Sequence, residues 1–87
     1  MENNLSIVKD QFKELPNNIE AEQAVIGSLL VNNEIFDEIS TIISGTNFYD
    51  PMHQKIFDAV DTLIYKGMLA NPITLKNYFE DEKDDLN

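Results

Sequence analysis

The chain has no cysteine, no tryptophan and no arginine, a single histidine, and only three glycines and three prolines. Without cysteine there is no disulfide framework and no zinc site built on thiolates. Without arginine, no side chain can present the bidentate guanidinium fork used on phosphates or serve as an arginine finger. Long apolar runs are missing too. The longest, AVIGSLLV at residues 24–31, falls well short of the roughly 20 residues that a membrane span needs. The amino terminus, MENNLSIVKD, carries no basic n-region of the secretory kind, so a cytoplasmic location is expected. Positive charge is scarce: six basic residues face sixteen Asp and Glu, for a formal charge of −10. A surface of that sign repels phosphate backbones, so direct nucleic-acid binding by these residues is not expected.

The remaining composition is that of a folded protein, with 43% hydrophobic and 25% charged residues. Eighty-seven residues suffice for one small domain with a single core. No segment alternates with period two, no repeat is present and no stretch is of low complexity. Every periodic segment is helical, so the fold is expected to be all-α: a small globular bundle of about four core helices plus a short amphipathic N-terminal helix or arm.

Leu5, Val8, Phe12 and Leu15 form the stripe of that arm, over residues 5–15, which Pro16 ends. The first core helix is expected over 19–31. Asn17 or Asn18 would cap it, Glu20 and Glu22 would face its dipole, and Ile19, Ile26, Leu29 and Leu30 would lie inward. Gly27 inside it predicts a helix crossing close by. A second helix over 34–43 is expected behind an Asn33 cap, with Ile35, Phe36, Ile39, Ile42 and Ile43 inward and Gly45 as its stop signal. Phe48 and Tyr49 occupy a short connector. Asp50 and Pro51 are a cap and a first-turn proline for a third helix over 51–66. Ile56, Phe57, Val60, Leu63 and Ile64 line it, and Lys66-Gly67 closes it. Asn71 and Pro72 repeat the start signal for a fourth helix over 72–80, with Leu75, Tyr78 and Phe79 inward. The acidic end, residues 81–87, reads as frayed helix or tail.

Chemistry is hard to find in these residues. His53 stands near Asp50 and Asp58, but Asp58 is five residues on and nearly opposite on a helix, so the two cannot work together locally. Packing or capping at the helix start is the better reading of His53. Ser28 in IGSLL lies mid-helix and not on a nucleophile elbow. No phosphate-cradling G-x-x-x-x-G-K-[ST] occurs, and the acidic run Glu80–Asp85 lacks the glycine and spacing of a calcium loop. Neither a catalytic, a cofactor-binding nor a metal site is expected. An acyl carrier protein would need Asp-Ser-Leu opening a helix, whereas this chain has Gly27-Ser28-Leu29 inside one. A free-standing acidic adaptor or inhibitor, DNA mimics included, stays open on composition alone.

PNNIEAEQAVIGSLLVNNEIFDEI, then FYDPMHQKIFDAVDTLIYKG and ITL, in that order and spacing, resemble the amino-terminal domain of DnaB-type replicative DNA helicases. The matching positions are Ile19 to Gly27, Phe48 to Phe57, Gly67, and Thr74-Leu75, within a head domain over residues 16–80. One departure precedes the last helix, where the family often has Pro-Ile-Asp and this chain has Leu69, Ala70 and Asn71 with Pro72 added. The resemblance implies a non-catalytic scaffold whose copies form a collar on a hexameric ring. It also implies engagement of the carboxy-terminal domain of a DnaG-type primase and, in some systems, of a helicase loader. ATP and Mg belong, by the same resemblance, to an ATPase domain that follows a helical hairpin, neither of which lies in these 87 residues. Glu20 at an exposed helix start, and Met68 and Leu69 in a loop, are the candidate partner-binding residues. Asp50, Pro51, His53, Phe48, Tyr49, Phe57, Asn71 and Pro72 are expected to be structural.

Overall fold

Asn18 begins the first helix by accepting a hydrogen bond from the Ala21 N–H on its side-chain oxygen (3.0 Å), which satisfies one of the donors that a helix start leaves free. The computed structural model describes residues 18–86, with side chains through Glu82. The expected arm at residues 5–15 lies outside them. Four α-helices follow in chain order: α1 (Ile19–Val31), α2 (Phe36–Ser40), α3 (Pro51–Tyr65) and α4 (Pro72–Leu86). Short 3-10 turns at Asn33–Ile35 and Gly45–Asn47 precede α2 and α3. Among the described residues there is no strand, and the domain is all-α as expected.

The core draws Val25, Ile26 and Leu29 from α1, Phe36 and Ile39 from α2, and Phe57, Val60 and Leu63 from α3. Phe48 in the connector and Leu75 on α4 close it. Phe57 is the hub of its aromatic part, with ring centroids 5.4 Å from Phe36 and 5.2 Å from Phe48 in tilted packing. Such pairs contribute about 0.5–1.5 kcal/mol beyond the area they bury.

The helix ends follow the local chemistry. Asp50 accepts from the Met52 N–H (2.8 Å) with Pro51 in the first turn of α3. Gly67 has φ +79°, the left-handed region that only glycine enters without strain. It lets the Met68 N–H reach the Leu63 carbonyl and the Gly67 N–H reach the Ile64 carbonyl, both at 2.9 Å. That pair of bonds is a Schellman turn. Asn71 and Thr74 cap α4 reciprocally: the Thr74 N–H donates to Asn71 Oδ1, and the Asn71 N–H donates to Thr74 Oγ1, both at 2.9 Å. The departure from the family pattern thus keeps a working helix start. The helix runs to Leu86 rather than stopping near residue 80.

Three expectations are corrected. The single helix over 34–43 is instead a 3-10 turn followed by the five-residue α2. Ser40 and Thr41 turn their hydroxyls onto the Asp37 and Glu38 carbonyls (3.0 and 2.7 Å), and the backbone there tightens to bonds three residues back, from the Thr41 N–H to the Glu38 carbonyl and from the Ile42 N–H to the Ile39 carbonyl (3.3 and 2.9 Å). Ile42 then comes out 37% exposed, while Ile43 stays buried. Asn32 rather than Asn33 starts this segment, its side chain accepting from the Glu34 N–H (3.1 Å). Gly45 is not a left-handed stop either. It opens the second 3-10 turn, pressed so closely on α3 that a Cβ there would lie 2.3 Å from Asp58 Oδ1. At Gly27 no described residue lies within 4 Å of where a Cβ would be.

Candidate functional site

Glu22 is 1% exposed. It occupies the inward stripe of α1 with Val25, Ile26 and Leu29, at helical spacings that bring all four to one face. His53, also buried, comes from the first turns of α3. The two meet at 2.7 Å, Glu22 Oε1 to His53 Nδ1. The Tyr49 N–H donates to Glu22 Oε2, and the Asp50 N–H donates to Oε1 (3.3 Å). One carboxylate thus gathers α1, the connector and the start of α3.

The connector is held from its other groups as well. The Phe48 N–H donates to the Gly45 carbonyl (3.1 Å), and Gln54 Nε2 donates to the Phe48 carbonyl (2.8 Å). Phe48 sits edge-on to the His53 ring, with centroids 6.4 Å apart and planes at 76°. Asn47 Oδ1 accepts from the Ser44 N–H at 2.8 Å. Among the described residues no buried side-chain nitrogen or oxygen lacks a partner.

A carboxylate orienting a histidine is also the rear half of a catalytic triad. The forward half is missing among the described residues. The hydroxyl bonds of Ser40, Thr41, Ser44, Thr62 and Thr74 all run to local backbone or to Thr46 and Asn47, and none reaches the His53 ring. What the bonds show is a junction: Glu22 and His53 join α1, the connector and the start of α3. Sequence reading treated Glu22 as a charge on the helix dipole; its position on the apolar stripe was the available signal that it points inward. Tyr49, expected to be structural in the connector, has a side chain that is 61% exposed, and it is its backbone N–H that binds Glu22.

A second polar clamp also went unread. Asn33 Nδ2 donates to the carbonyls of Leu29 (2.7 Å) and Ala70 (3.0 Å), and Asn33 Oδ1 accepts from the Ala70 N–H (2.8 Å). One amide fastens the end of α1 to the loop before α4, where Ala70 is wholly buried. Sequence alone does not separate this use of Asn33 from a cap.

Large apolar side chains are exposed at several places, Val31, Tyr49 and Met52 among them, and most densely in one segment. Tyr65 (90% exposed), Met68, Leu69 and Ile73 stand out along residues 65–73, on either side of the Schellman turn. Met68 and Leu69 are exposed rather than folded into the core edge. Glu20 is exposed on α1, as a partner-facing residue would have to be. Among the described residues no group of His, Cys, Asp and Glu gathers as a metal site, and no helix is long and apolar enough to cross a membrane.

Four helices on one small core, tied by a buried acid–histidine junction and an asparagine clamp, define a small all-α head module. The DnaB-like helicase N terminal domain model matches residues 14–87, and the chain belongs to that family. It is 44% identical to a replicative DNA helicase DnaB of Rickettsia typhi over 63 residues, which are 72% of this chain and 13% of the relative. A replicative DNA helicase DnaB of Buchnera aphidicola subsp. Baizongia pistaciae is 40% identical over 77 residues, 88% of this chain and 17% of the relative. The chain thus spans well under a fifth of the length of these relatives. No solved structure matches it.

Proposed function

We propose that these residues form a non-catalytic interaction and assembly domain of a replicative DNA helicase in the cytoplasm. In this reading the domain contributes to the N-terminal collar of a hexamer and engages the carboxy-terminal domain of a DnaG-type primase, with a helicase loader as a further partner. ATP and Mg act in the motor domain of the parent protein, and this part needs neither. The observation that carries the reading is the exposed apolar segment from Tyr65 to Ile73. It is presented by a turn that Gly67 and five hydrogen bonds around Asn71 and Thr74 hold in one shape. Apolar residues held rigid on an otherwise charged surface suit a protein contact, and Met68 and Leu69 are its centre. Glu20 is the candidate on the α1 side.

The test is a titration of the domain, alone and extended by the helical hairpin, against the cognate primase carboxy-terminal domain. Binding by the longer form that falls at least tenfold in Leu69→Asp, about 1.4 kcal/mol, supports the reading. No binding by the longer form removes the primase role. The rival, a free-standing acidic adaptor, is separated by whether the reading frame continues past residue 87 into a hairpin and a Walker A motif.

A further inference from the structure

The outward face of α1 carries no charge beyond Glu20, although the free side of a surface helix is usually charged. Ala24, Gly27 and Val31 follow Glu20 on that face at helical spacings, and all are exposed, Val31 to 89%. With Ser28, Asn32 and Ile35 they line a shallow, mostly apolar depression of about 570 Å³. Gly27 is its lowest point. Glycine is the least favourable residue in a helix interior after proline, yet no described residue lies within 4 Å of where its Cβ would be. The described packing does not require a glycine there, and the bare backbone is left open to a close approach from outside.

Charge frames the depression. Glu20 stands at one end, and Glu34, Asp37 and Glu38 stand at the other, on the 3-10 turn and α2 around Ile35; all four are exposed. No lysine or arginine occurs from residue 18 to residue 54. The next cation, Lys55, belongs to α3, which meets the opposite, buried side of α1 where His53 binds Glu22.

We propose that this face docks an amphipathic helix of another protein, one with a narrow apolar stripe and with Lys or Arg in its first and last turns. From Glu20 to Val31 the face is about 16 Å long at 1.5 Å per residue, so about three turns of a partner helix cover it. Apolar anchors at i, i+3 or i+4 and i+7 are how a helix lies in such a groove. They rest on Ala24, Gly27 and Val31, and the end cations stand beside Glu20 and beside Glu34 and Glu38. Opposite charge at both ends fixes the register and speeds encounter. A second copy is the weaker occupant, because either two-fold pairing of this face sets carboxylate against carboxylate. The proposal goes beyond the primase reading: no residue of the Tyr65–Ile73 segment lines the depression.

The probe is a synthetic peptide of about 14 residues, with leucines at helical spacing and lysines in both end turns, titrated into the isotope-labelled 87-residue chain. Amide shifts concentrated at Ala24, Gly27, Ser28 and Val31 support the proposal. Val31→Asp and Gly27→Gln should each lower the affinity at least about tenfold. Gly27→Gln should at the same time raise the urea midpoint, since space is open there and glutamine is the better helix former; a merely structural glycine would not give that combination. Glu20→Lys with Glu38→Lys should weaken the lysine peptide and favour one with glutamate in place of the lysines. Leu69→Asp, which breaks the surface of the primase reading, should leave peptide binding unchanged. No binding, equal binding by Val31→Asp, or equal binding of a peptide of scrambled order overturns the proposal. So do α1 shifts that vary with the concentration of the chain alone, which assign the face to a second copy. NOEs from residues 1–17 to Val31 in the free chain overturn it as well, assigning the face to the chain itself.

Discussion

Replacing Glu22 by alanine tests the central structural claim, that one buried carboxylate sets the junction of α1, the connector and α3. Three donors converge on it: His53 Nδ1, the Tyr49 N–H and the Asp50 N–H. Glu22→Ala leaves all three without their acceptor in a site where Glu22 is 1% exposed and His53 9%. Each unsatisfied buried donor costs about 1–3 kcal/mol, and breaking a buried acid–base pair from one side costs about 3–5 kcal/mol. Water reaches the Asp50 end more readily, since Asp50 is only half-buried, so about 3–5 kcal/mol is the working figure. Set against roughly 4–13 kcal/mol of total stability for a chain of this size, that loss removes from about a quarter of the fold's margin to all of it. It lowers Tm by about 12 °C or more. Urea unfolding followed by far-UV circular dichroism measures it. His53→Ala keeps both backbone bonds to Glu22 and should cost less. The double variant should cost less than the sum of the singles by about 1–3 kcal/mol, because the pair couples directly. A Glu22→Ala loss under about 1 kcal/mol, or additive singles, would refute the reasoning.

The other outcomes concern the clamp and the glycines. Asn33→Ala should cost about 2–4 kcal/mol by urea titration, with faster exchange at the Ala70 amide; Asn33→Asp should be worse, since it sets a carboxylate against the Leu29 and Ala70 carbonyls. Gly67→Ala places a Cβ at φ +79° and should cost about 1–2 kcal/mol, read as a lower urea midpoint at unchanged m-value. Gly45→Ala collides with the Asp58 side chain. Asp58→Ala in the same chain should recover most of that loss in thermal melts, because the obstacle is a movable carboxylate and not backbone.

Much of the fold could be read before any coordinates, and for local reasons. Asp50-Pro51 and Asn71-Pro72 start α3 and α4, and Lys66-Gly67 ends α3 where expected, since each signal acts within a turn of its own position. The residues at helical spacing on α3, Phe57, Val60 and Leu63, are buried. The misreadings were of another kind. Gly45 was read through local propensity, as a stop signal, and answers instead to a side chain on α3. The second helix fell short where its backbone goes over to bonds three residues back, Thr41 to Glu38 and Ile42 to Ile39, a change that hydrophobic spacing does not reveal.

Glu22 and Asn33 mark the boundary most sharply. By itself, the sequence determined an all-α head with the bounds of α1, the start and stop of α3 and the start of α4, an acidic surface without arginine, and membership in a recognisable pattern. Periodicity, caps and composition act over a few residues and are written there. Only the tertiary structure decided that the sole histidine meets a glutamate 31 positions away and that an asparagine reaches an alanine 37 positions away. The side chains alone allow Glu22 to face water and Asn33 to cap a helix. Packing α1 against α3 and the loop before α4 takes the water away, and then the nearest donors and acceptors must serve in its place.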